Sequence, residues 1–132
     1  MSIYLDENLS EYVAEALNLL NKGYFENTKV LSTKNSIGRG KPDEEIIPII
    51  GKEGSSLITR DLNIKKTRLQ FELCKQYKLG VFFIDLPKGE NKHWELVKTI
   101  IYHWEAIVYE SVHCKKPFAF RVRKNGKMEL MK

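Results

Sequence analysis

The order in which short apolar runs and helical patterns follow one another limits this chain more than any other feature. Apolar runs typical of buried strands lie at residues 2–5, 28–31, 56–59 and 81–85. Each is followed by a segment with helical spacing of apolar residues, and these segments start after Ser10, near Asp43, near Arg68 and at Trp94. Strands that alternate with helices form a mostly parallel sheet with helices on both faces. The sequence therefore predicts an α/β fold.

Apolar stripes on the helical segments indicate which side of each one faces the core. The predicted stripes are Val13, Ala16, Leu17 and Leu20 in the first segment, Leu69, Leu73 and Tyr77 in the third, and Trp94, Val97, Ile101, Trp104 and Val108 in the last. Two tryptophans on one stripe indicate core packing. In the second segment, near residues 43–53, Pro48 lacks a backbone donor, so we expect a kink there or a helix start later than Asp43.

The end of the chain has a different pattern. Phe118, Phe120 and Val122 alternate with polar or small residues, and Asn125-Gly126 favours a two-residue hairpin turn into a following strand that contains Leu130. This predicts an antiparallel β-hairpin at the edge of the parallel sheet. Residues 33–41, which include two glycines, are predicted to form a polar loop.

Length and composition are those of one domain covering residues 1–132. The longest apolar stretch falls well short of the roughly 20 residues of a membrane span, and the start of the chain lacks the pattern of a signal peptide. These features predict a cytoplasmic protein. Cys74 and Cys114 have neither disulfide nor metal spacing, so both are expected to be reduced thiols.

Charge is distributed unevenly along the chain. There are 22 Lys and Arg residues against 17 Asp and Glu, a formal net charge of +5. Basic residues gather in 34–41, 60–68 and 115–127, whereas acidic residues dominate 6–15 and 43–53. An acidic centre between basic segments suits a metal site that acts on phosphodiesters, because the basic side chains hold phosphates. A salt-bridged surface explains the same charges equally well.

Three aspartates stand where a predicted strand ends or a predicted helix begins. Asp6 follows the first strand, Asp43 precedes an apolar helical run, and Asp61 follows the third strand. Ligands of open α/β sheets bind at the carboxyl ends of the strands. If the three carboxylates meet, a hard divalent cation relieves their repulsion. Singly, each aspartate is better explained as a helix cap or a turn residue, and only the three together favour a metal site.

Neighbouring residues extend this pattern and leave several functions open. Glu45 offers a further carboxylate, and Asn63 is predicted either to add a neutral oxygen or to hold a ligand through a hydrogen bond. Thr59 is predicted to cap or orient the loop of Asp61, and Asn8 to support the ligands through hydrogen bonds. A phosphoaspartate receiver is an alternative, with Asp6-Glu7 as its acidic pair, Asp61 or Asp85 as its phosphoacceptor and Lys88 beyond it. A dehalogenase-type phosphatase needs a second aspartate at the place of Asn8.

Several segments together resemble a known family. They are Ile3-Tyr4-Leu5-Asp6-Glu7-Asn8, Pro42-Asp43-Glu44-Glu45-Ile46-Ile47-Pro48 and Leu57-Ile58-Thr59-Arg60-Asp61-Leu62-Asn63. In order and spacing they resemble the PIN-like domain of VapC-type toxins, closest to a short PIN-like ribonuclease subgroup. The resemblance continues through residues 79–83, the tryptophan-containing helix and the closing hairpin.

The resemblance implies a three-layer α/β/α fold and an endoribonuclease dependent on Mg²⁺ or Mn²⁺, often a toxin restrained by an antitoxin protein. Asp6, Asp43 and Asp61 take the place of the metal ligands, and Glu45 that of a further catalytic carboxylate. Asn63 stands where many PIN domains keep another acid. The nearby basic residues are expected to contact the phosphates of RNA; they are Arg60, Lys65, Lys66 and Arg68. A solvated basic face is the alternative.

A non-catalytic PIN-like module that binds RNA or protein is the main alternative to a nuclease. PIN-like proteins are often dimers, so a homodimer formed through the hairpin edge or the tryptophan-containing helix is a further expectation.

Overall fold

The computed structural model describes residues 1–60, 64–90 and 92–131. These residues form a mixed α/β fold built on one β-sheet. The elements in chain order are β1 (Ser2–Leu5), α1 (Glu11–Asn21), β2 (Lys29–Ser32), α2 (Thr33–Ser36), α3 (Asp43–Lys52), β3 (Ser56–Arg60), α4 (Ile64–Gln76), β4 (Gly80–Asp85), α5 (His93–His113), β5 (Phe118–Arg123) and β6 (Glu129–Leu130). The strand order is β2-β1-β3-β4-β5-β6. All neighbouring strands are parallel except β5 and β6, which confirms the predicted sheet and its antiparallel ending.

The two faces of the sheet are covered by different helices. Successive side chains of a strand point to opposite faces, and both sides of the central strands are buried. Ile58 and Phe82 pack with residues of α1 and α5, whereas Leu57 and Phe83 pack with residues of α3 and α4. Strands buried on both faces have continuous apolar sequences, which is why these strands were recognisable. The result is the predicted arrangement of three layers.

The apolar face of α1 differs in part from its prediction. Val13 and Leu17 are buried as expected, but Ala14 takes the third buried apolar position. Ala16 and Leu20 are exposed, and 60% of Leu20 is accessible to solvent. Ala16 and Leu20 were assigned to the buried face because they are apolar and follow Val13 and Leu17 at helical spacing. They lie on the neighbouring side of the helix.

Only one of the two tryptophans of α5 is in the core. Trp104 is buried and its indole Nε1 donates to Asn21 Oδ1 at 2.7 Å, while Trp94 is 69% exposed. Leu96 and Ile100 are the buried apolar residues in the first turns of α5. Trp94 and Ile101 lie on a side of the helix that is exposed to solvent. The core packing predicted for Trp94 is therefore wrong.

An apolar groove lies between α1 and α5. Its lining includes Tyr12 and Leu20 from α1 together with Trp94, Val97 and Ile101 from α5. Tyr12, Leu20, Trp94 and Ile101 are each more than half exposed. The groove is therefore a surface feature of the layer that contains α1 and α5.

The helices of the other layer differ from prediction at their boundaries. α3 begins at Asp43 and continues through Pro48, so the later start is wrong. Ile47 and Ile50 are completely buried, and their packing offsets the backbone hydrogen bond that Pro48 lacks.

The start of α4 and part of its inward face were also predicted incorrectly, although Leu73 packs against the core as expected. The helix begins at Ile64 rather than near Arg68. Its buried positions are Thr67, Gln70 and Cys74, whereas Leu69 is 59% exposed. Two of these inward residues are polar, so a search for apolar spacing selected a different side of the helix.

Two loops also depart from the predicted structures. Part of the expected polar loop at 33–41 forms the short helix α2. In the hairpin, Phe120 pairs with Leu130 and Arg121 with Glu129. A two-residue turn at Asn125-Gly126 requires a pairing shifted by one residue, so the predicted turn is wrong although the hairpin is confirmed. None of the helices in the described ranges has the length and apolar character needed to cross a membrane.

Candidate functional site

Asp6 is held at the point where β1 ends. Its backbone N–H donates to the Ile58 carbonyl oxygen at 3.0 Å, which continues the pairing of β1 with β3. The hydroxyl of Thr59 in β3 donates to Asp6 Oδ2 at 2.5 Å. Thr59 is 1% exposed whereas Asp6 is half-buried. A buried, neutral donor therefore orients this carboxylate and leaves its negative charge uncompensated by that contact.

A hydrogen bond and an ion pair hold the segment before Asp43 against the start of α1 and the turn that precedes it. Glu7 Oε1 accepts a hydrogen bond from the backbone N–H of Gly40 at 2.9 Å, and Lys34 Nζ lies 2.6 Å from Glu11 Oε2. The contact with Lys34 lowers the pKa of Glu11 below its ordinary value. These contacts connect the residues after β1 with the loop that leads into α3.

Asp43 is the first residue of α3 and faces α4. The amide Nε2 of Gln70 donates to Asp43 Oδ2 at 3.0 Å. Gln70 is 3% exposed and Cys74, one turn further along α4, is 1% exposed. Burial raises the pKa of the Cys74 thiol to about 12, and the negative charge of Asp43 adds to that increase. A carboxylate at a helix N-terminus is also favoured by the helix dipole.

The other predicted acids and amides of the site that the structure describes, Glu45 and Asn8, are both exposed. Glu45 is exposed, and its Oε2 lies 3.9 Å from Lys41 Nζ. Helix residues two apart do not face one another, so α3 directs Glu45 and Asp43 to different sides. Asn8 is exposed in the turn after β1. Asp61 and Asn63 lie outside the described residues.

Within residues 1–60, 64–90 and 92–131, no group of three or more Asp, Glu, His and Cys side chains is arranged to hold a metal ion. Asp61 directly follows Arg60, the last residue of β3, and β3 is the neighbour of β1. A site with three carboxylates therefore depends on Asp61 in addition to Asp6 and Asp43.

The predicted RNA-binding residues lie at the end of β3 and in the first turns of α4. Arg60 is partly buried, and its Nε has no hydrogen-bond partner in the described part of the chain. Lys65 and Arg68 are exposed, while Lys66 is partly buried. The N-terminal end of a helix attracts anions through its free N–H groups and its dipole. This end of α4 therefore combines three basic side chains with a favourable position for phosphate.

Asp85 marks the carboxyl end of β4, the strand next to β3, and has a different environment. Arg121 Nη1 lies 3.2 Å and Arg123 Nε 3.8 Å from Asp85 Oδ2. Both guanidinium groups come from β5, the neighbour of β4. Because its charge is already paired with two arginines, Asp85 is a poor phosphoacceptor for the receiver alternative.

Gln70 is the site residue that sequence reasoning missed. Its spacing from Thr67 and Cys74 is three and four residues, which places all three on one side of α4. The available signal was a repeat of small or polar residues at helical spacing, next to the acidic start of α3. A search restricted to large apolar residues passes over such a face.

The described elements define an α/β protein with acidic and basic side chains gathered around the carboxyl ends of its central strands. Residues 1–86 match the family model described as a PIN like domain. The match covers more than half of the chain and contains Asp6, Asp43 and Asp61, and the chain belongs to this family. No curated protein and no solved structure matches the chain.

Proposed function

We propose that this protein is an endoribonuclease that holds Mg²⁺ or Mn²⁺ with Asp6, Asp43 and Asp61. The observation that carries the proposal is the way in which the two described carboxylates are held. Asp6 accepts from the Thr59 hydroxyl and Asp43 from the Gln70 amide. Neutral donors fix the orientation of a carboxylate and leave its charge for a cation, in contrast to the arginine-paired Asp85.

The chemistry of these residues fits a hard divalent cation. Carboxylate and amide oxygens are the ligands that Mg²⁺ and Mn²⁺ prefer. Asp6 and Asp43 offer carboxylate oxygens, and Asn63 offers an amide oxygen beside Asp61. When bound, the cation polarises a phosphate and lowers the pKa of an attacking water. Because Glu45 lies on a different side of α3 from Asp43, it is proposed as an auxiliary carboxylate that accepts a proton and not as a cation ligand. Asn8 is proposed as a residue that steadies the turn after Asp6.

The basic residues near the start of α4 are proposed to bind the RNA backbone. Lys65 and Arg68 are exposed there, and Arg60 closes the strand that leads to Asp61. Lys66 completes this group. Phosphate contacts hold a nucleic acid in register without reading its sequence. RNA is proposed as the substrate because the motifs resemble those of VapC-type toxins, while membership of the PIN-like family supports a nuclease in general.

The same resemblance leads us to propose that the protein is a toxin restrained by an antitoxin protein. Such a partner needs an apolar surface to cover, and the groove between α1 and α5 offers one through Leu20, Trp94 and Ile101. Co-purification of the protein with the product of an adjacent small gene tests this. Loss of the complex in Leu20→Glu, with cleavage retained, supports the groove as the contact. A homodimer that buries the same groove is revealed by sedimentation of the protein alone.

Cleavage of RNA by the purified protein tests the central activity. We expect cleavage with Mg²⁺ or Mn²⁺, none with EDTA, and a loss of at least 100-fold in Asp6→Asn, Asp43→Asn and Asp61→Asn. Asp85→Asn is the matched control, because it makes the same chemical change at the same edge of the sheet. Glu45→Gln is expected to have a smaller effect, since Glu45 is exposed and near Lys41.

The outcomes separate the nuclease from its alternatives. Cleavage that is unchanged in Asp6→Asn and Asp43→Asn contradicts the mechanism. Retarded migration of RNA without any cleavage favours a non-catalytic RNA-binding module. Transfer of phosphate from acetyl phosphate to an aspartate favours a receiver.

A further inference from the structure

Gln70 is a buried polar residue whose hydrogen-bonding capacity is only partly used. Its side chain is 3% exposed, and Nε2 donates to Asp43 Oδ2 at 3.0 Å. Its Oε1 is buried and has no hydrogen-bond partner among the described residues. Buried side-chain oxygens nearly always have a donor, and each exception needs an explanation.

Core packing alone does not account for a glutamine at this position. The layer of α3 and α4 is built mainly from apolar residues such as Ile47, Ile50 and Cys74, and the other buried polar residue of α4 is the small Thr67. A methionine fills a similar volume without a polar atom, so a purely structural position has no need of an amide. The amide does one thing that an apolar side chain does not, because it fixes the carboxylate of Asp43.

The direction of that hydrogen bond matters for a cation site. The Nε2 of Gln70 occupies one position around Asp43 Oδ2 and orients the carboxylate relative to α4. The donor is neutral, so the carboxylate keeps its charge. Groups that orient a metal ligand through its non-coordinating side typically change metal affinity 10–100-fold when they are removed.

We propose that Gln70 is a positioning residue for the cation site, an inference that rests on the proposed function. Its Nε2 holds the Asp43 carboxylate in the orientation that receives the cation. Its buried Oε1 accepts a hydrogen bond from an O–H group brought in with the hydrated cation. This second contact explains why Oε1 lacks a partner within the described residues.

The test compares two substitutions at Gln70 with the same substitutions at Gln76, which is exposed on the same helix. Gln70→Met keeps the length and removes both hydrogen bonds. Binding of Mn²⁺ by the full-length protein is measured by titration calorimetry, with near-UV circular dichroism as the check on folding. We expect Gln70→Met to weaken Mn²⁺ binding about 10–100-fold and Gln76→Met to bind as the wild type does.

Gln70→Glu supplies a second readout that requires no cleavage assay, namely the melting temperature with and without Mn²⁺. A second carboxylate beside Asp43 adds repulsion, which a bound cation relieves. The melting temperature of Gln70→Glu should therefore fall without metal and recover with Mn²⁺, whereas Gln76→Glu should change little in either condition. If Gln70→Met fails to fold, this recovery remains measurable in Gln70→Glu.

The results also separate this inference from the proposed function. Binding of Mn²⁺ by the wild type, with equal affinity in a folded Gln70→Met, overturns the role of Gln70 alone. A deficit of Gln70→Glu that is the same with and without Mn²⁺ overturns it as well. A wild-type protein that binds no Mn²⁺ overturns the proposed cation site and, with it, the inference.

Discussion

The hydroxyl of Thr59 provides a sharp test of how the site is held, because Thr59 can be changed in two complementary ways. Thr59→Val keeps the branched shape and removes the donor to Asp6 Oδ2, which lies 2.5 Å away. Thr59→Ser keeps the hydroxyl and removes one methyl group from a residue that is 1% exposed. One variant therefore tests the hydrogen bond and the other tests packing.

The expected sizes follow from the surroundings of the two residues. A hydrogen bond to a charged group contributes about 1.5–3 kcal/mol, but Asp6 is half-buried and water can replace part of that contact. We therefore expect Mn²⁺ affinity to fall about tenfold in Thr59→Val, which corresponds to about 1.4 kcal/mol. In Thr59→Ser we expect the free energy of unfolding to fall by about 1 kcal/mol, with Mn²⁺ affinity close to that of the wild type.

Urea unfolding and Mn²⁺ titration of the two variants measure both quantities. We expect Thr59→Val to change Mn²⁺ affinity and Thr59→Ser to change the free energy of unfolding. Wild-type Mn²⁺ affinity in a folded Thr59→Val, together with weakened binding in Thr59→Ser, refutes the assignment of the hydroxyl as the group that orients Asp6.

Other features of the chain give further predictions. Burial raises the pKa of Tyr4 to about 12, with a contribution from its hydrogen bond to Glu53 at 2.6 Å. Because the folded-state pKa is above the ordinary 10.0, the stabilisation is complete below pH 10 and is lost toward pH 12. The free energy of unfolding of Tyr4→Phe, measured in urea, should therefore decrease less over that pH range than that of the wild type. Trp104→Ala should lower the free energy of unfolding by about 3–5 kcal/mol, whereas Trp94→Ala, at a residue 69% exposed, should change it by about 0.5 kcal/mol or less.

The predictable parts of the fold are those in which apolar residues in the sequence are also the residues buried in the structure. Leu57, Ile58, Phe82 and Phe83 lie in strands buried on both faces, so their apolar runs identified the strands directly. The alternation of strands with helices then indicated a parallel sheet. The position of Asp6 at the end of a strand was predictable for the same reason, since Asp6 directly follows such a run.

Other features depended on contacts that a pattern of apolar residues does not contain. Gln70 and Thr67 face inward on α4 although they are polar, and Leu69 faces outward although it is apolar. The inward position of Gln70 is explained by its hydrogen bond to Asp43, 27 positions earlier in the chain. Trp94 kept the helical spacing of core residues, but like Ile101 it lies on an exposed side of α5.

The central claim is that carboxylates from three distant parts of the chain hold one divalent cation. A crystal structure of the protein grown with Mn²⁺, with anomalous diffraction to locate the ion, measures this directly. We expect a peak within about 2.5 Å of carboxylate oxygens of Asp6, Asp43 and Asp61. Ordered Asp6, Asp43 and Asp61 side chains that point to separate parts of the surface, with no ion among them, contradict it.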